Sequence, residues 1–203
     1  MDEQLKNSLK NAESLVHSEL LKRAELLARF VHMGQKRHDG SDYVNNHQAY
    51  MVEWIIAKWI KEGVLKDRYS LSDEQVDVLC AIWLHDVFED CGWQNRIGIH
   101  QVVANYFNPT TVHIMAVLTH EKHETYREYF ERITEFPLAL EVKWADMVSN
   151  TSKNTPEKQM KKYQDALIHI ISLGKVNVSI IPLTLVTRLH LFEFGMRGKD
   201  DKN

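Results

Sequence analysis

The run Val78-Leu79-Cys80-Ala81-Ile82-Trp83-Leu84 is apolar enough for a protein core, and it breaks without a spacer into His85-Asp86-Val87-Phe88-Glu89-Asp90. Ser72, followed by Asp73 and Glu74, reads as an N-cap with acidic first-turn residues. The run therefore belongs to a helix that carries Val76, Leu79, Ile82 and Trp83. Four ionisable side chains in the six residues after it are costly to bury unless something pairs with them. On a continuing helix His85 and Glu89 are four apart, as are Asp86 and Asp90, so the pairs occupy neighbouring stripes that face one cavity. Neutral imidazole with carboxylate oxygens suits Mn2+, Fe2+ or Zn2+ better than Ca2+.

The chain around this run is also helical in period. Leu15, Ala24, Leu27 and Val31 lie in one or two amphipathic helices over about 8–33. Met51, Val52, Ile55, Ile56, Trp59 and Ile60 form a second stripe that stops at Gly63. Asn108-Pro109-Thr110 marks a fresh helix start. Further helices are expected over about 123–134, 137–150, 156–173 and 182–195. The best strand candidate is the short run at 176–181. The expectation is an all-α fold, a single helical bundle of about seven to nine helices over 1–203. Its motif-bearing core covers about 26–150, a helical extension 151–197, and the composition of a loose tail begins at Gly198.

Composition narrows the function classes. With 203 residues, 44% hydrophobic and 26% charged, the chain has the proportions of an ordinary globular domain. Lys+Arg of 25 against Asp+Glu of 28 gives a formal charge of −3, without the basic footprint that bulk nucleic-acid binding requires. A small anionic ligand needs only a local basic spot. No run approaches the ~18 apolar residues of a membrane span, and Cys80 and Cys91 lack metal-knuckle or CxxC spacing. A reduced, cytoplasmic protein with no membrane partner is the expectation.

Two ligands are not a site, and the chain offers candidates for the rest. Asp146, in Val142-Lys143-Trp144-Ala145-Asp146, puts a carboxylate on an otherwise apolar helix face, with Asn150 four residues along. His47 offers a second imidazole. His32 reads as a core or supporting histidine rather than a ligand. His120, Glu121, His123 and Glu124 read as polar residues at a helix junction, and the tryptophans as packing residues, with Trp93 a candidate for the pocket mouth. The cluster Lys153, Lys158, Lys161 and Lys162 reads as a solvated face, from which Lys153 could reach a phosphate.

The ordered motifs HMGQKRHDGSDYVNNH (32–47), LHDVFED (84–90) and VKWADMVSN (142–150), with LTHEKHETYREYFERI (118–133) between the last two, resemble the metal-dependent HD phosphohydrolase superfamily. Within it they are similar to the hydrolase domain of the RelA/SpoT-type alarmone enzymes and their small single-domain relatives. The resemblance implies metal ligands His47, His85, Asp86 and Asp146, usually around Mn2+. It implies Glu89 and Asp90 as the catalytic carboxylates that position or activate water. Arg37, Tyr43 and Asn150 become substrate-binding residues for a nucleotide, whose 3′-pyrophosphate is hydrolysed in guanosine penta- or tetraphosphate. Three residues separate Tyr43 from His47 where that family usually has two, so Asn46 is the rival occupant, and Gln48 stands where proline is common. Met147, Ser149 and Ser152 replace residues that are often basic or histidine there. A nucleotidase or triphosphohydrolase on ordinary nucleotides, and a non-catalytic nucleotide sensor, are the alternative functions.

Overall fold

The computed structural model describes residues 3–68, 70–92, 96–151 and 155–191. Among them the regular structure is helical, and the chain forms two compact units, one through Thr119 and one from His120. The first holds α1 (Glu3–Val31), a π-helical turn (Val44–Gln48), α2 (Ala49–Lys61), α3 (Asp73–Leu84), α4 (Val87–Asp90), α5 (Arg96–Tyr106) and α6 (Pro109–Leu118). The second holds α7 (Tyr126–Ile133), α8 (Pro137–Asn150), α9 (Glu157–Ser172), a 3-10 turn (Val178–Ile180) and α10 (Leu183–Arg188).

In the first unit α3 is the central element, because Val76 through His85 are all buried. A helix apolar on every side has to be surrounded, and α1, α2 and α6 pack on it. Ala24 and Ala28, both fully buried, let α1 approach closely. Ser72 starts α3 with a full capping box: its Oγ accepts from the Gln75 N–H at 3.3 Å, and the Gln75 side chain accepts from the Ser72 N–H at 2.8 Å. The buried Asp77 takes hydrogen bonds from Asn108 (3.0 Å) and Thr111 (2.7 Å), which ties the start of α6 to α3. Gly63, at φ +72°, ends α2 in the left-handed conformation that glycine adopts without strain.

In the second unit α7 packs on α8 and α9, and α8 on α10. Phe130, Ile133, Met147, Leu167, Ile170 and Leu185 are the largest of its fully enclosed side chains. Arg188 of α10 donates to the Val148 and Thr151 carbonyls at 3.0 and 2.7 Å, satisfying acceptors that the end of α8 leaves open.

Four expectations change. The 176–181 run forms a 3-10 turn, initiated by Asn177 accepting from the Ser179 N–H, and no strand forms among the described residues. Helix α5, which the apolar periodicity does not predict, buries only Ile99 and Val103. The last helix ends at Arg188, and residues 192–195 of the expected range lie outside the described residues. Helix α3 stops at Leu84, so the His85-Asp86 pair lies in a bend and not inside the helix.

Candidate metal centre

The bend is the first determinant of the site. His85 closes α3, and Asp86, at φ −97° and ψ −3°, opens the single turn α4, whose Val87 and Phe88 are buried and pull the chain back into the core. His85 Nδ1 donates to the Ile82 carbonyl at 2.9 Å, one of the acceptors that a helix end leaves unsatisfied. That bond requires a proton on Nδ1 and leaves Nε2 as the ring atom facing His47 and Asp86, the orientation a metal-ligating imidazole needs.

His47 Nε2 faces His85 Nε2 at 3.3 Å, and Asp86 Oδ2 lies 2.8 Å from the His85 nitrogen and 3.7 Å from that of His47. Ligand atoms about 2.1 Å from one ion, at tetrahedral or octahedral angles, stand about 3.0–3.4 Å apart. The imidazole pair has that separation, while Asp86 Oδ2 stands a few tenths of an ångström inside it on the His85 side and outside it on the His47 side, and nitrogen with oxygen donors suits Mn2+, Fe2+ or Zn2+. The Tyr43 hydroxyl donates to the same Asp86 oxygen. The Tyr43 ring is 5.0 Å from that of His47 and 4.8 Å from that of His32. Burial alone would raise the Asp86 carboxyl, yet the imidazoles of His85 and His47 outweigh it and hold the group well below the ordinary carboxylate range.

The extra residue before His47 is taken up by the π-turn. Its i to i+5 pattern, closed by the Ala49 N–H on the Val44 carbonyl, holds one residue more than an α-turn. His47 is 1% exposed, whereas Asn46 is exposed and its amide donates to the Asp42 carbonyl. Of the two, His47 is the one that lies beside His85. Gln48, fully buried, donates to the Trp83 carbonyl at 2.9 Å and so caps the end of α3.

The remaining candidates of this unit divide. Asp90 accepts from the Gln35 amide at 2.9 Å, and the buried His32 lies beside both. Glu89, on the same turn, is exposed. Arg37 donates to the Asn46 carbonyl at 3.3 Å, and Gly40, at φ +81°, makes the turn that carries it.

In the second unit Asp146 is 5% exposed. Its Oδ2 accepts from Lys143 Nζ at 2.6 Å and its Oδ1 from the Asn150 amide. Lys143 is buried under the rings of Tyr129 (5.2 Å) and Tyr126 (5.9 Å). Burial pushes its ammonium down, but the Asp146 carboxylate and the phenols hold it well above its ordinary value. Burial likewise pushes the Tyr163 phenol up to about 12. His120 donates to the Glu124 carbonyl at 2.9 Å, and Glu124 pairs with Arg132 through two bonds of 2.8 Å, so these residues build the turn before α7. Trp93, Ser152, Lys153 and the tail from Gly198 lie outside the described residues. No family model and no curated protein matches the chain.

Proposed function

We propose that this chain is a metal-dependent phosphohydrolase acting on a nucleotide, with the 3′-pyrophosphate of guanosine penta- or tetraphosphate, or of an adenosine counterpart, as its substrate. The observation that carries the reading is the buried pair of imidazole nitrogens, His47 Nε2 and His85 Nε2, with Asp86 Oδ2 beside both. Two imidazole nitrogens 3.3 Å apart with a carboxylate oxygen beside both make a donor set that a divalent cation would satisfy. The resemblance to HD phosphohydrolases supplies that partner, Mn2+ by first choice, and assigns Asp146 as the fourth ligand.

When bound, the ion supplies Lewis acidity toward a phosphate oxygen and acidifies water. The chain's own residues do the rest. Tyr43 fixes the Asp86 oxygen through its hydroxyl, and the Ile82 carbonyl fixes the His85 ring. Asp90, oriented by Gln35, takes or steers the proton of the attacking water, with Glu89 on the same turn. Arg37 and Asn150 contact the nucleotide in this reading. Phosphoryl transfer asks for little beyond such positioning and charge stabilisation. The site of action is the cytoplasm, and the buried thiols of Cys80 and Cys91 agree with a reducing compartment.

The test is product analysis by ion-exchange chromatography after incubating the purified chain and Mn2+ with guanosine and adenosine alarmones, dNTPs and mononucleotides. Pyrophosphate released from alarmones alone is the expected result. Turnover of dNTPs or monophosphates would move the assignment to a nucleotidase, and no turnover would favour a nucleotide sensor. Metal content is expected to vanish in Asp86→Ala, and full content in Asp146→Ala would remove that residue from the ligand set.

A further inference from the structure

We propose that His32 and Gln35 are positioning residues for Asp90, joined to it as a two-step hydrogen-bond relay; the inference rests on the hydrolase reading above. His32 Nδ1 lies 2.7 Å from Gln35 Oε1 and 3.5 Å from Asp90 Oδ2. Both neighbours are acceptors, so the ring proton belongs on Nδ1. Its donation fixes the Gln35 amide: with the carbonyl oxygen turned to the ring, the NH2 group is turned to Asp90 and donates to Oδ2 at 2.9 Å. The side chain of His32 is fully buried, and in the described structure its Nε2 has no hydrogen-bond partner. An imidazole that leaves its acceptor side unsatisfied is held there for its donor side and its shape.

The relay is anchored at both ends. His32 and Gln35 flank Gly34, whose φ of +78° makes the turn after α1, and the Gln35 N–H donates to the His32 carbonyl at 3.0 Å. The Gln35 carbonyl accepts from the Tyr43 N–H at 3.2 Å, and the Tyr43 ring packs against His32. Asp90 is held on α4 by its own N–H on the Asp86 carbonyl at 2.9 Å. Its side chain is 35% exposed and would otherwise sample several rotamers. The relay selects one, holding Oδ2 and leaving Oδ1 for water.

The experiment compares the full-length wild type with Gln35→Met, His32→Leu and His32→Asn, using Mn2+ and whichever alarmone the product analysis identifies. Methionine keeps the length of Gln35 without donor or acceptor, and the asparagine amide nitrogen falls where Nδ1 was. Gln35→Met and His32→Leu are expected to lose about tenfold to a hundredfold in kcat, part of what a positioned acid or base contributes. KM should stay within about twofold and Mn2+ content should be unchanged, the pattern of an interaction made only in the transition state. His32→Asn should recover to within about threefold of wild type, because the donor is restored.

Wild-type kcat in Gln35→Met, no rescue by asparagine, or loss of Mn2+ from Gln35→Met would each overturn the positioning role while leaving the hydrolase reading in place. A nitrogen-15 spectrum of the histidine rings adds a readout independent of turnover. His32 should be protonated at Nδ1 in the wild type and lose that preference in Gln35→Met; a ring protonated at Nε2 overturns the relay. Absence of wild-type turnover on every substrate overturns the hydrolase reading and the positioning role together.

Discussion

Two residues, Lys143 and Gln48, show what a side chain does once its surroundings are known. Lys143 looks like an ordinary surface lysine in sequence, yet it is buried with its ammonium on Asp146. Removing one partner of a buried ion pair leaves the other charge desolvated. Lys143→Met is therefore expected to cost about 3 kcal/mol in denaturant unfolding with chelator present. A loss below about 0.5 kcal/mol, the range of surface substitutions, would show that the pair does not support the second unit. Gln48 is as hidden from pattern reading, because its role depends on the Trp83 carbonyl, 35 residues away in sequence.

At the scale of the element, the π-turn over Val44–Gln48 decides which residue enters the cluster. Because the turn absorbs one residue locally, deleting the exposed Asn46 should convert it to an α-turn and leave Tyr43, His47 and α2 in register. Mn2+ affinity by calorimetry is expected to stay within about tenfold of wild type, the lower end of what disturbing a supporting shell costs. Loss of binding would mean that the wider turn itself aims His47. Ahead of α7, the bonds from Arg132 hold the Glu124 carboxyl below its ordinary value. A carboxyl depressed in the folded state stabilises above its unfolded pKa, near 4.3, and that contribution fades as pH falls through the folded value. Glu124→Gln should thus cost about 1 kcal/mol at pH 7, with the gap to wild type closing below about pH 4. An equal gap at pH 7 and pH 3 would refute the ionic account.

At the scale of the molecule, each unit closes its own core, and no helix among the described residues is long and apolar enough to cross a membrane. A divalent ion that binds only the folded chain adds stability by mass action. Mn2+ at a hundredfold its Kd should contribute about 2.7 kcal/mol. For a chain of this length that raises the calorimetric midpoint by roughly 5–10 °C, and chelator should reverse it. An identical midpoint with and without Mn2+ would weigh against any metal at His47, His85 and Asp86.

The sequence by itself determined the all-α class, the starts of α3 and α6 and the stop at Gly63. Those features are local: a cap, a proline, a glycine or a periodic apolar face acts within a few residues. Only the tertiary structure decided that α3 breaks at Leu84, that Glu89 is exposed, and that His47 is buried beside His85 while Asn46 is exposed. It alone joined His32 and Gln35 to Asp90. Each of these outcomes depends on which buried acceptor or carboxylate a side chain meets across the fold, and spacing along the chain carries no record of that.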